Sequence, residues 1–139
     1  MDIKYTPVST KELVPIVPAR LLPFDFQKTH DFSKRKEESL KIRTKYPDRI
    51  PVICEIYKKD RHELKLDKNK YLVPSNLTVG QFVYVIRRRI KLKPEKALYI
   101  FTEDNTLPPT AQSLDILLRD HGNRDGFLYF LVSSESTFG

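Results

Sequence analysis

The stretch GFLYFLV, residues 126–132, constrains the fold of this chain more than any other. Successive residues of a strand point to opposite faces, and here both sets are apolar. Such a strand belongs in the middle of a sheet covered on both sides. The remaining residues must therefore supply neighbouring strands and covering layers.

One covering element is legible in LTVGQFVYVIRRRI, residues 77–90. Thr78 is placed as an N-cap with Gln81 three positions on, the spacing of a capping box. Val79, Phe82, Val83, Ile86 and Ile90 then form a helical stripe suited to a sheet. Arg87, Arg88 and Arg89 crowd the last turn, where the helix dipole favours cations, so the basic triplet has a structural use. A second helix is predicted in DFSKRKEESLKIRTKYPDR, residues 31–49, which lacks glycine and halts where Pro47 disfavours helix at Tyr46. Its Leu40 and Ile42 are two apart, about 200° around a helix. They cannot face the same core, so one of them turns toward another element or a groove.

IPVICEIY, residues 50–57, reads as a strand with Ile50, Val52, Cys54 and Ile56 on the core side. Pro51, Ile53, Glu55 and Tyr57 form the other side, which suits a strand near an edge or flanking a shallow site. After a polar hairpin region, 58–70, comes the short strand KYLVP. ALYIFT is another strand, and SLDILLRDHGN a short helix closed by Gly122 in the manner of a glycine C-cap. The order helix, strand, strand, helix, strand, short helix, strand describes an α+β chain. It matches a ubiquitin-like β-grasp with an N-terminal helical extension packed on the sheet.

Residues 1–23 read as a proline-rich leader, with Pro7, Pro15, Pro18 and Pro23, ahead of a domain spanning 24–132. Residues 133–139, ending SSESTFG, read as a flexible tail. The leader's ELVPIVPARLLPF is too apolar for an ordinary disordered segment, so part of it is expected to lie against the domain or a partner.

Charge and chemistry narrow the function. The formal net charge is +7. Residues 27–49 hold eight cations against four acids, and RRRIKLK adds five more cations. Such basic faces suit acidic peptides, anionic lipid or nucleic acid, and a charge run alone does not choose among them. No run approaches the roughly 18 apolar residues of a membrane span, and no secretory signal pattern opens the chain, so a cytosolic or nuclear location is expected. The lone Cys54 excludes an internal disulfide, and its apolar surroundings favour packing over nucleophilic chemistry. His30, His62 and His121 lack metal-ligand spacing, and no nucleotide, hydrolase or cofactor fingerprint occurs. Neither an active site nor a cofactor is expected.

PDRIPVICE, KYLVPSNLTVGQFVYVIRRRI, TLPPT, DGFLY and the terminal STFG closely resemble the autophagy ubiquitin-like modifiers, the GABARAP family and its fungal counterpart. The likeness runs from about Phe26 to Gly139. It implies a protein that is a substrate rather than a catalyst. A cysteine protease exposes or later releases the terminal glycine, an activating enzyme takes that glycine as a thioester, and a conjugating enzyme passes it to phosphatidylethanolamine. On this resemblance Gly139 is the conjugation residue, already carrying a bare carboxyl. Lacking a Cβ, it suits threading through a narrow active site. The protein would be cytoplasmic, and held on the autophagosomal membrane once lipidated.

The resemblance also implies recognition of aromatic-x-x-aliphatic motifs in cargo receptors and adaptors, by addition of a strand to a sheet edge. The aromatic-anchor pocket would use Glu38, Ile42, Pro51, Ile53, Lys70, Leu72 and Phe127. The aliphatic-anchor pocket would use Tyr71, Val73, Pro74, Leu77, Phe82 and Val85. Arg49 and Lys68 would form a basic rim for acidic residues flanking the motif. A second docking face would map to Leu98, Tyr99, Ile100 and Phe101, although alternating strand residues are more often core. Within the leader, Tyr5 to Val8 has the anchor spacing and is a candidate occupant of the pockets in cis or in trans. The competing reading is a ubiquitin-like adaptor that is never conjugated and docks on microtubules or anionic surfaces through its basic faces.

Overall fold

The computed structural model of the chain describes residues 24–134. Helix α1 spans Asp25–Thr29 and α2 spans Phe32–Lys45; β1 (Arg49–Ile56) and β2 (Lys70–Pro74) follow. Then come α3 (Val79–Ile90), β3 (Leu98–Thr102), α4 (Leu114–His121) and β4 (Leu128–Ser134). The four strands form one sheet in the order β2-β1-β4-β3. β1 and β4 run parallel at its centre, and the outer strands are antiparallel to them.

β4 is interior and buried along its whole length, as its two apolar sides require. Leu128, Phe130 and Val132 face a core shared with Val79, Phe82 and Ile86 of α3 and Leu114 and Leu117 of α4. Phe127, Tyr129 and Leu131 face a second core completed by Phe24 and Phe26 at α1, with Ile53, Tyr57 and Phe101. Burying each such side chain contributes about 1.5–3 kcal/mol. The alternating residues Ile100 and Phe101 enter opposite cores and the half-buried Leu98 and Tyr99 pack against the same two, so the side chains of this strand contribute to both cores.

The helix ends follow local chemistry. In α3 the Thr78 hydroxyl accepts from the Gln81 amide at 3.2 Å, and the Gln81 side chain accepts from the Thr78 amide at 2.9 Å. In α2 the Asp31 carboxylate accepts from the Lys34 amide at 2.9 Å. Leu40 is 63% exposed whereas Ile42 is half-buried, so the two do diverge. Gly122 ends α4 with φ −68° and ψ 152°, not in the left-handed region. Glycine is needed there because a Cβ would stand 2.3 Å from the Leu118 carbonyl oxygen. Helix α1 is absent from the series of elements read from the residues. Its first amides are capped from the sheet face it covers: the Glu55 carboxylate accepts from Asp25 N at 2.8 Å and Phe26 N at 3.0 Å.

Two segments differ from their expected limits. The β1–β2 connection is more than a polar hairpin: it contains a 3₁₀ turn, Lys58–Asp60, and buries Leu64 in the first core. β4 continues through Ser134, past the expected domain limit at 132. Buried Asp60 holds that end, accepting from the Ser133 hydroxyl at 3.0 Å and from the Ser134 amide and hydroxyl at 3.2 and 3.0 Å.

Candidate functional site

β2 is an edge strand, paired on one side only among the described residues. Its register sorts side chains onto the two faces of the sheet. Lys70 opposes Ile53 and Leu72 opposes Pro51, while Tyr71 opposes Val52 and Val73 opposes Ile50. Directly opposed residues share a face. Lys70 and Leu72 therefore lie on the α1–α2 side, and Tyr71 and Val73 on the α3 side. Lys70 and Leu72 belong to the expected aromatic pocket and Tyr71 and Val73 to the expected aliphatic one, whereas exposed Pro74, opposite Arg49, shares the face of Lys70 and Leu72.

On the α1–α2 side, Glu38 and Ile42 are four residues apart on α2 and thus neighbours on its surface. The Glu38 carboxylate accepts from Lys70 Nζ at 2.8 Å, and that ammonium stands 5.1 Å from the centroid of the Phe26 ring. Leu72 is half-buried and Pro51 buried. Ile53 and Phe127 are completely buried in the second core, where Phe26 packs edge-on against Phe127 at 5.3 Å between centroids. They form a floor beneath α1 and not an open wall.

On the α3 side, the Tyr71 ring meets Phe82 edge-on at 5.8 Å, and Phe82 packs on Phe130 at 5.3 Å. The Arg89 guanidinium lies 5.5 Å from the Tyr71 centroid. Val85 is 39% exposed, whereas Leu77 is half-buried and Val73 buried. Phe82 is 1% exposed, a floor residue like Ile53. The Tyr71 hydroxyl donates to the Lys68 carbonyl at 2.9 Å, which ties the strand to the exposed Lys68. Arg49, also exposed, lies at the opposite end of β2, paired with Pro74. Gly139 and Tyr5 to Val8 lie outside the described residues.

Reading the residues alone missed the cation–ring contacts of Lys70 with Phe26 and Arg89 with Tyr71. The alternation in Phe24, Asp25 and Phe26 was the available signal, since both rings are buried against β4.

Cys54 is fully buried, and burial followed by the adjoining Glu55 pushes its thiol far above the usual range, so the nucleophilic thiolate is suppressed. Among the described residues no group of three or more His, Cys, Asp or Glu side chains is placed to hold a metal, and no helix is long and apolar enough to cross a membrane.

Residues 34–139 match the family described as "Autophagy protein Atg8 ubiquitin like". Autophagy-related protein 8 of Mycosarcoma maydis is 59% identical over 115 residues, covering 82% of this chain and 95% of the relative. Its counterpart from Schizosaccharomyces pombe is also 59% identical over 115 residues, covering 82% and 93%. Among solved structures, Trypanosoma brucei ATG8 superposes with a TM-score of 0.77 at 39% identity, covering 85% of this chain and all of that one. Plasmodium falciparum Atg8, in complex with a peptide of P. falciparum Atg3, gives 0.70 at 32% identity, covering 81% and 99%. With most of its length matched by the family and by whole relatives, the edge-strand chain described above belongs to the Atg8 ubiquitin-like family of autophagy proteins.

Proposed function

We propose that this chain is a modifier joined through the Gly139 carboxyl to phosphatidylethanolamine, and that it binds aromatic-x-x-aliphatic motifs by adding them as a strand to β2. The observation that carries the binding half is the free edge of β2, with Lys70 and Leu72 on one face and Tyr71 and Val73 on the other. An incoming strand gains backbone hydrogen bonds from that edge, and its alternate side chains reach opposite faces. The aromatic anchor sits among Glu38, Ile42, Pro51, Lys70 and Leu72, over the floor of Ile53 and Phe127. The aliphatic anchor sits among Tyr71, Val73, Pro74, Leu77 and Val85, over Phe82. Arg49 and Lys68 meet acidic flanking residues, each exposed contact contributing about 0.2–1 kcal/mol.

Conjugation rests on family membership, and the Atg3 peptide bound to the P. falciparum relative supports a conjugating enzyme as a partner. The other partners are an activating enzyme, a processing or delipidating cysteine protease, and cargo receptors. The protein is cytoplasmic, and on the autophagosomal membrane once conjugated. Incubation with activating and conjugating enzymes and phosphatidylethanolamine liposomes tests this directly. A mobility shift is expected that Gly139→Ala abolishes. A wild-type chain that binds the motif peptide without shifting is instead an unconjugated adaptor.

A further inference from the structure

We propose that the cleft between α2 and α4 is a docking site for an acid-rich peptide segment of a partner protein. Two hollows of about 530 and 440 Å³ meet there, sharing Arg43, Pro47 and Gly126. Lys36, Arg43 and Arg124 line the first, and Arg43, Arg49 and Arg119 the second. All five cations are exposed.

The carboxylates in the cleft offset only part of this set. Asp125 is fully buried and committed, accepting from Arg35 Nε at 2.8 Å, the Phe127 amide at 2.9 Å and the Tyr129 hydroxyl at 2.5 Å. Asp115 is turned to its own helix end, accepting from the Ser113 hydroxyl at 2.5 Å and the Ile116 amide at 2.8 Å. Arg119 is shared with Asp120 at 3.0 Å. Lys36, Arg43, Arg49 and Arg124 make no ion pair among the described residues. Like charges held close in a concave surface focus field and raise the local concentration of anions. Guanidinium groups add a fork geometry that matches carboxylates.

The position favours a peptide over a membrane surface. The cleft lies where β1 and β4 begin, at Arg49 and beside Gly126, and the parallel strands carry the chain away from it. The seven residues of β4 end about 20 Å off, at Ser134. On the proposed reading the chain therefore leaves the sheet toward its conjugated terminus at the end opposite the cleft. Arg49 also pairs with Pro74 of β2, so the cleft continues from one end of the free edge. A partner whose motif adds to β2 can lay an acidic flank into it.

The test is a titration of the full chain with an oligoglutamate peptide free of aromatic residues, followed by amide NMR. Shifts are expected at Arg43, Arg119 and Arg124 and not at residues 70–74. Affinity is expected to fall about tenfold in the doubly reversed Arg43→Glu, Arg124→Glu variant and to weaken as salt rises. A short aromatic-x-x-aliphatic peptide lacking acids serves as the control. Its affinity for the double variant stays at the wild-type value if the fold is intact, and should the reversal unfold the chain, Arg43→Gln with Arg124→Gln gives about a threefold loss instead. An oligoglutamate affinity unchanged by folded variants, or shifts confined elsewhere, overturns the proposal. So do vesicles of phosphatidylcholine and phosphatidylserine that shift the same residues more strongly than the peptide. The oligoglutamate arm is readable even if no motif peptide binds β2, so the two readings fail separately.

Discussion

Lys70 of β2 and Glu38 of α2 close a 2.8 Å ion pair across the mouth of the α1–α2 side, bracing the helix against the edge strand. Both side chains are partly exposed, so the pair is screened and its net contribution is small. In a double-mutant cycle with Glu38→Ala and Lys70→Ala, urea unfolding should give a coupling of about 0.2–1 kcal/mol that shrinks with salt. A coupling well above that range would mean the pair is more desolvated than its exposure indicates.

Phe82 is the opposite case, because its ring is enclosed between Tyr71 and Phe130. Phe82→Ala should destabilise the fold by about 3–5 kcal/mol in denaturant unfolding. A loss under about 1 kcal/mol would place the ring at an open surface.

Burial pushes the Tyr71 phenol up to about 12, with Cys54 and Asp67 adding to the shift and Arg89 opposing it. In the unfolded chain the same phenol ionises near 10. Below that pH both states are neutral and the full stability is present. As pH rises from about 10 toward 12 the unfolded state ionises first, and stability is lost. Urea midpoints over this window should fall more steeply for the wild type than for Tyr71→Phe, and the difference between their tyrosinate absorbance titrations should centre near 12. Parallel midpoint curves would refute the shift.

Gly126 has φ +95°, and a Cβ there would stand 2.4 Å from Ser39 Oγ, whose hydroxyl donates to the Asp125 carbonyl. Gly126→Ala combines a left-handed backbone with a clash, so a loss of about 1–3 kcal/mol is expected. Ser39→Ala in the same background should recover part of it, since it removes the atom the methyl meets. No recovery would assign the whole cost to the backbone.

The elements legible in the sequence are those whose stability is written locally. β4 announced itself because both its faces are apolar, and α3 because its cap, stripe and terminal arginines agree. Helix α1 carried no such signature, since its five residues are held by Glu55 and by ring contacts made 100 residues further on. The site was legible in part. Ile42 diverges from Leu40, and β2 does divide its side chains between two faces. What the sequence could not convey is depth: Ile53, Phe82 and Phe127 read as pocket walls, but the layer α1 adds and the stacking on Phe130 put them beneath the surface.

Glu55 sets an order of assembly at the start of the domain. It is only 8% exposed, and its carboxylate is satisfied by two amides of α1, with Arg61 3.9 Å away. A five-residue helix is far too short to persist alone, so α1 forms only after β1 presents that carboxylate. The dependence also runs in reverse. A chain trimmed past Phe26 loses more than its first turn, because it leaves a charge in the interior with two of its partners gone. The beginning of the domain is thus a late arrival in folding and an early point of failure when shortened.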